Sequence, residues 1–524
     1  MAIKLKTLLT TAHSISFLID DGGYFSTNVK YEISLNDTSV ITTDKCVNSV
    51  FDLEPGRKYE IRVRNAKDNE EATLLFETSK EFLTVNVRDL GAYGDGIHND
   101  TEFIQAAIMC CPENSRVLIP EGRYLINSIF LKSGVNIELS KGAVLVADTD
   151  RSTRVKFPGS IITSETDNDE YHLGTWEGEP APMYAGIITG IGVRDINIYG
   201  EGIIDGGADF DNWWNNPKKL NVAYRPRLIF LSGCSNISLQ GVMLTNSPSW
   251  TVHPFFSNSL RFVDMRIENP ADSPNTDGID PESCEDVEIA GVEFNLGDDC
   301  IAVKSGKIYM GQKYKKPSDR INIHHCLMKN GHGAVTLGSE ISGGVSNVLV
   351  EKCLFVNTDR GLRIKTRRGR GKQCFLNNIV FRKIKMQGVL SPFTANMFYF
   401  CDPDGHSEYV QSRSYIEKDD RTPRLGELIF EDIEAVDAHV CAGYFLGLPE
   451  SPIDSVVMKN VSITFSTEPK EGVPVMCDGV GKMSGVGIVA ENVLSLRLEN
   501  VRIEGCEGRR ITTANVGTLI DEEK

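Results

Sequence analysis

The chain has 524 residues, 41% of them hydrophobic and 24% charged, and a formal net charge of −17. That length is too great for one ordinary core, so the chain either divides into domains or grows by repetition. The negative charge disfavours nucleic acid and anionic membranes as partners, and no apolar run reaches the roughly 18 residues of a membrane span.

The start, Met1-Ala2-Ile3-Lys4-Leu5-Lys6, is basic, but Thr10, Thr11, His13, Ser14 and Ser16 interrupt any apolar run before it reaches signal-peptide length. A cytoplasmic location is expected on that pattern. The 13 cysteines are scattered, with no Cys-x-x-Cys pair. They read as small buried hydrophobes in a reducing compartment, and no metal or cofactor is expected.

Alternating runs at Ser14–Ile19, Val29–Leu35 and Tyr59–Val63, broken by turns at Asp21-Gly22-Gly23 and Pro55-Gly56, predict a small antiparallel β-sandwich over residues 1–84. The stretch Leu53–Val63 resembles the end of a fibronectin type III domain, where a turn delivers a tyrosine, here Tyr59, into the next strand.

Residues 85–524 read as one further domain. After the turn-rich Gly91–Gly96, the run Asn99-Asp100-Thr101-Glu102 predicts a helix start with a capping box, and Phe103, Ile104, Ala107, Ile108 and Cys111 share one helical face. Such a helix suits the open end of a solenoid, whose core and strand edges need a cover. Val117–Tyr124 would be the first coil. Strand-like triplets then recur at 196–198, 237–239, 260–262, 287–289, 321–323, 348–350, 379–381, 428–430, 456–458 and 496–498. Most are followed by a polar or glycine corner and a second strand, without amphipathic helices between them. This fits an all-β fold built as a parallel β-helix better than a TIM barrel. The intervals 306–317 and 391–424 are then loops that shape a cleft.

Four polar motifs punctuate these coils: Asn275-Thr276-Asp277-Gly278, Gly297-Asp298-Asp299-Cys300, Gly331-His332-Gly333 and Arg363-Ile364-Lys365. Asp277, Asp298, His332 and Arg363 stand about 21, 34 and 31 residues apart, roughly one coil per step. Residues one coil apart are near neighbours, so three carboxylates share a small volume and at least one pKa should rise. A protonated carboxyl beside an ionised one is what glycosidic cleavage needs. Each motif also has a plainer reading. Asp277-Gly278 would serve as a turn, Asp298-Asp299 as a turn cap or calcium ligand, His332 as a loop residue, and Arg363 with Lys365 as a solvated face.

The four motifs together, in this order, resemble the polygalacturonase family of glycoside hydrolases (family 28) over about residues 86–500. That resemblance implies a right-handed, pectin-lyase-like parallel β-helix and an inverting hydrolase of α-1,4-galacturonosyl linkages. It implies Asp298 as general acid, Asp277 and Asp299 as the pair that activates water, and His332 as a group that tunes the acid or the neighbouring sugar. Arg363, Lys365 and Lys304 would hold the galacturonate, with Asn275, His253, Trp176 and Arg360 as further substrate contacts. The inverting assignment sits uneasily with coil spacing, since inverting carboxylates usually stand about 6.5–9.5 Å apart.

The acidic chain needs local cations to hold a polyanion, and Arg360, Arg363, Lys365, Arg367, Arg368, Arg370 and Lys372 form a candidate patch. Thr175-Trp176-Glu177-Gly178 and Asn246–Pro254 resemble the bacterial exo-acting branch, in which an insertion near 160–182 would close one end of the cleft. Residues 1–84 would then be part of that wall or a stabilising appendage. Pectic oligosaccharides, as short imported oligogalacturonides, are the expected partner, and the oligomeric state is open. The rivals are a hydrolase of another pectic linkage, such as rhamnogalacturonan or an unsaturated oligosaccharide, a calcium-dependent pectate lyase, and a non-catalytic carbohydrate-binding β-helix.

Overall fold

The computed structural model describes residues 3–522 apart from 66, 68, 69 and 163–169. Its first strands form two antiparallel sheets. Lys4–Thr10, Ile15–Asp20 and Val47–Val50 make a three-stranded sheet, and Ser26–Leu35, Thr38–Lys45, Lys58–Asn65 and Glu71–Glu77 a four-stranded one. Period-two alternation turns Phe17, Ile19, Ile33, Ile61 and Val63 into the core between them. The Tyr59 hydroxyl accepts a hydrogen bond from the Glu54 backbone N–H at 2.9 Å, which fixes the corner that the turn at Pro55-Gly56 creates.

The solenoid begins earlier than the sequence pattern indicates. Thr84–Asn86 pairs in parallel with the strand Ser115–Ile119, and Asp95–Asn99 with Gly122–Ile126. Residues 84–99 thus already supply a coil ahead of Val117–Tyr124, in strands of three and five residues that are too short to show a period. The expected helix is Thr101–Cys110, with Ile104, Ala107 and Ile108 buried against the first coils. Its capping box does not form. The Asp100 carboxylate instead accepts the Tyr93 and Gly94 N–H groups, at 2.6 and 2.9 Å, and Asn99 Oδ1 takes the Thr101 N–H.

The rest is a right-handed parallel β-helix whose large sheet links 29 strands. Its first ladder pairs Ile196, Ile237, Leu260, Val287, Ile321, Val348, Ile379, Leu428, Val456 and Leu496, each with the next. Every triplet read from the sequence falls in this one register. A second ladder includes Met243–Thr245, Arg266–Glu268, Glu293–Asn295 and Leu354–Val356. A third includes Ile229–Ser232, Val252–Phe255, Ile301–Val303, Val335–Gly338, Arg360–Lys365 and Ser391–Asn396.

One left-handed residue sets each corner into the first ladder. Asp195, Asn236, Ser259, Asp286, Arg320, Asn347 and Asn378 all have φ between 53° and 59°. Asn and Asp tolerate this conformation best among residues with side chains, and stacked ones bond one another: Asn236 Nδ2 donates to Asp195 Oδ1 and Asn378 Nδ2 to Asn347 Oδ1, both at 2.7 Å.

Of the two intervals expected as loops, 306–317 carries the helix Ile308–Tyr314. The other leaves the coil only after Asn396, because Ser391–Asn396 continues the third ladder.

The sandwich rests on the corner between the first and second ladders. Leu8, Leu18, Cys46 and Val47 pack on Val263 and Ala290. Ser14 Oγ donates to Gln240 Oε1, and Lys352 Nζ pairs with Asp20, both at 2.7 Å. The polar motifs lie on the third ladder, so this domain braces the helix at a different corner and does not wall the cleft.

Candidate active site

Ile229, Val252, Ile279, Ile301, Val335 and Leu362 follow one another in register along the third ladder, all facing the core. Two residues before them stand Arg227, Trp250, Asp277, Asp299, Gly333 and Arg360, at the same corner of successive coils. The four motifs occupy consecutive coils, and stacking gathers them. Carboxylate oxygens of Asp277, Asp298 and Asp299 lie within 4.8 Å of one another.

Asp299 sits between two cations. Its Oδ1 accepts from Arg363 Nη1 at 3.0 Å and its Oδ2 from Lys365 Nζ at 2.9 Å. Gly333 is required beside it, because a Cβ there would come within 2.9 Å of Asp299 Oδ1. Asp298 Oδ1 accepts the Asp299 backbone N–H at 2.9 Å and lies 3.4 Å from His332 Nδ1. The Asp298 side chain is 21% exposed, against 6% for Asp277 and 1% for Asp299, so it is the carboxylate that faces the cleft.

Burial pushes all three carboxyls upward, and their partners decide the outcome. At Asp299, Lys365 and Arg363 overcome burial and hold the carboxyl well below the usual range. At Asp298, burial is outweighed by the hydrogen bond and charge of His332 and by Lys365, and the pKa falls. That same hydrogen bond raises His332. At Asp277, burial is reinforced by Asp298 and Asp280, and Lys304 does not offset them. The raised carboxyl that the motif spacing calls for is Asp277, whereas the resemblance makes Asp298 the acid.

The other expected substrate contacts divide. Arg363 and Lys365 border the cleft but are engaged by Asp299. Lys304 is buried in a carboxylate cage, 3.9 Å from Asp277 Oδ2, 3.5 Å from Asp280 Oδ1 and 3.4 Å from Glu340 Oε2, so it does not present its charge to a ligand. His253 is fully buried, with Nε2 2.9 Å from Glu282 Oε2 and its ring edge-on to Trp250. It supports the floor from beneath. Asn275 accepts from Arg225 Nη2 at 2.7 Å, and Trp176 stacks on Tyr224 with centroids 4.6 Å apart; both remain partly open. Arg360 donates to the Val473 and Pro474 carbonyls at 2.7 and 3.2 Å, which pins that segment over the strand.

The candidate cationic patch is not a surface. Arg367, Arg368 and Arg370 are buried, paired respectively with Asp402 and Asp404, with Glu450, and with Asp402. Only Lys372, on Asp420, is exposed. The partner acids come from distant segments, and a window of sequence shows the cations without them.

Sequence reasoning missed Arg225, Glu340, Asn396 and Tyr399. Asn396 was reachable, since it pairs in register with Lys365. Tyr399 lines a small cavity with Arg360, Arg363, Lys365 and Met476, but it lies beyond the strand end, where register gives no guide.

Comparison with known proteins gives a consistent picture. A model of "Glycosyl hydrolases family 28" matches residues 134–480, and one of "Rhamnogalacturonase A/epimerase, pectate lyase-like" matches residues 84–175. The chain is 31% identical over 407 residues to a probable polygalacturonase of Vitis vinifera, covering 76% of this chain and 78% of that protein. It is 30% identical over 315 residues to an endo-polygalacturonase of Pectobacterium carotovorum subsp. carotovorum, covering 57% and 72% respectively. Among solved structures, a hyperthermoactive exopolygalacturonase from Thermotoga maritima superimposes with a TM-score of 0.64 at 25% identity, covering 81% of this chain and 92% of that one.

Proposed function

Because the chain belongs to the glycosyl hydrolases of family 28 and is thereby a hydrolase of galacturonan, we propose that it is an inverting exo-polygalacturonase acting at the non-reducing end of oligogalacturonides. The observation that carries the mechanism is the carboxylate cluster, with one raised carboxyl at Asp277 and one open carboxylate at Asp298.

In this mechanism the cluster holds one proton, on Asp277 at rest. As substrate displaces water from the cleft, that proton passes to Asp298, which makes both groups competent at once. Asp298 donates it to the leaving glycosidic oxygen while water attacks the anomeric carbon and yields its proton to Asp277, assisted by Asp299. The cluster returns to its starting state without an outside proton donor. His332 orients Asp298, and Arg363 with Lys365 shares its charge between Asp299 and the substrate carboxylate.

Carboxylates this close would ordinarily suggest a retaining enzyme. Asp299 is a poor nucleophile, however, with both oxygens engaged by cations, and Asp277 serves in this mechanism as the acceptor of the water proton. The same engagement of Asp299 weakens the calcium-dependent lyase reading, because two cations already occupy the oxygens a metal would use.

Exo action is supported by the exopolygalacturonase likeness and by Trp176, which with Tyr224 and Arg225 stands over the coils before Asp277. A series of oligogalacturonides labelled at the reducing end tests the reading. Monomer as the sole first product, without ultraviolet absorbance from an unsaturated uronate, is the expected result. Mixed product sizes from the start would overturn exo action, and such absorbance would overturn hydrolysis.

A further inference from the structure

Arg227 is fully buried, yet its hydrogen bonds go to Ser249 Oγ at 2.8 Å and, at 3.4 Å, to His253 Nδ1 and the Thr175 carbonyl, not to a carboxylate. Burying a guanidinium in this way is costly unless something offsets it. Asp280 and Glu282 act on it without a hydrogen bond, and its faces are covered by aromatic rings. Its guanidinium carbon lies 4.6 Å from the Trp176 ring centroid and 4.3 Å from that of Trp250. The stack extends on both sides. Tyr224 lies parallel to Trp176, 7° between planes, and Lys304 Nζ stands 4.3 Å from the Trp250 ring. Aromatic face and cation thus alternate from Trp176, backed by Tyr224, through Arg227 and Trp250 to Lys304, whose ammonium is 3.9 Å from Asp277 Oδ2.

The column joins parts distant in sequence. Trp176 comes from the hairpin Thr175–Trp176 and Glu179–Pro180, while Arg227 and Trp250 hold the corner position of the two coils before Asp277. A desolvated cation is attracted by the face of an aromatic ring, which fixes an ammonium that Asp277, Asp280 and Glu340 would otherwise share.

We infer that Trp176, Arg227 and Trp250 are positioning residues that clamp Lys304 against Asp277, so that the hairpin 175–180 governs how the water-activating carboxylate holds its proton. The inference rests on the reading of Asp277 given above. Charges that face Asp277 are Asp298 and Asp299 from the next coil, Asp280 from its own, Lys304, and Arg225 and Arg227 from an earlier coil. Lys304 in turn faces Glu340, Asp280, Asp277, Asp299 and Glu282. Among these, Lys304 is the cation within ion-pair distance of Asp277. Freed from the Trp250 face, it would move toward Asp280 and Glu340, and Asp277 would keep its proton to higher pH.

The experiment is the pH profile of kcat/KM on trigalacturonate for Lys304→Met, Trp250→Leu and Trp176→Leu, with melting temperature recorded for each. Trp176 is only partly buried, so its variant tests the column even where a deeper substitution fails to fold. The expected result is a basic limb moved up by about one pH unit in Lys304→Met, in the same direction in the tryptophan variants, and no further in the Lys304→Met/Trp176→Leu double variant. In Lys304→Met and Trp250→Leu, KM should stay within about twofold, with kcat at pH 7 reduced about tenfold. An unmoved limb in Trp176→Leu, or a shift that adds to that of Lys304→Met, would overturn the inference. Asp277→Asn serves as the control. If it retains turnover, the reading of Asp277 itself fails; if it is inactive and the limb stays put, only the column fails.

Discussion

Two stacks of side chains run along the same coils with opposite habits. In the first ladder, the position held by Ile198, Leu239, Phe262, Ile289, Ile323 and Val350 is apolar and buried in every coil. At the corner of the third ladder, the position held by Arg227, Trp250, Asp277, Asp299, Gly333 and Arg360 changes character at every step but the one from Asp277 to Asp299. Both stacks obey the same parallel register. The inward one must repeat, because each residue's neighbours above and below are its own kind and any polar member would be stranded. The corner stack is free of that constraint, and chemistry has been written into it. Where a solenoid repeats it is holding itself together, and where it stops repeating it is doing something else.

The contrast can be broken from either side. Asp299→Asn should have the largest effect, because it leaves Arg363 and Lys365 facing an uncharged group. A stability loss of about 3 kcal/mol together with a turnover loss of at least about 10²-fold is expected from denaturant titration and steady-state kinetics. Retained stability would mean that these cations face solvent and not the carboxylate. Ile323→Ala, in the inward stack, should cost about 2–4 kcal/mol through the cavity it leaves. Its kcat, measured on the folded fraction, should match the parent; a fall comparable to that of Asp299→Asn would show that the two stacks are not separable. Lys372→Ala should do least. Its pairing with Asp420 is exposed, so a change within about 1 kcal/mol is expected, with KM for trigalacturonate unaltered. A severalfold rise in KM would restore the surface patch that the buried pairs of Arg367, Arg368 and Arg370 argue against.

These outcomes bear on what was legible beforehand. The inward stack was readable because repetition is visible in one dimension: Ile196, Ile237 and Leu260 announce one another. The cluster of Asp277, Asp298, Asp299 and His332 was readable for a related reason, since one-coil spacing converts directly into contact. What escaped were facts that need the third dimension. Nothing near Arg368 in sequence names Glu450 as its partner. Nothing in the segment around Asp299 tells that Lys304 turns inward to Asp277, Asp280 and Glu340 whereas Lys365 turns to Asp299. The short strands Thr84–Asn86 and Asp95–Asn99 escaped because their register comes from the coil above them, not from their own pattern. His253 came in as a substrate contact through the resemblance of the stretch Asn246–Pro254, and a stretch of sequence does not show that its histidine is buried.

The central claim is that one site, assembled from successive coils, performs acid/base hydrolysis with Asp298 as the group that meets the glycosidic oxygen. Asp298→Asn tests it most directly, with kcat and the binding of trigalacturonate measured on the same preparation. The substitution keeps an acceptor for the Asp299 N–H and removes the deliverable proton together with the charge that His332 faces. A kcat lower by at least about 10²-fold with binding unchanged is the predicted result. Turnover within about tenfold of the parent would contradict the account and move the acid elsewhere in the cluster.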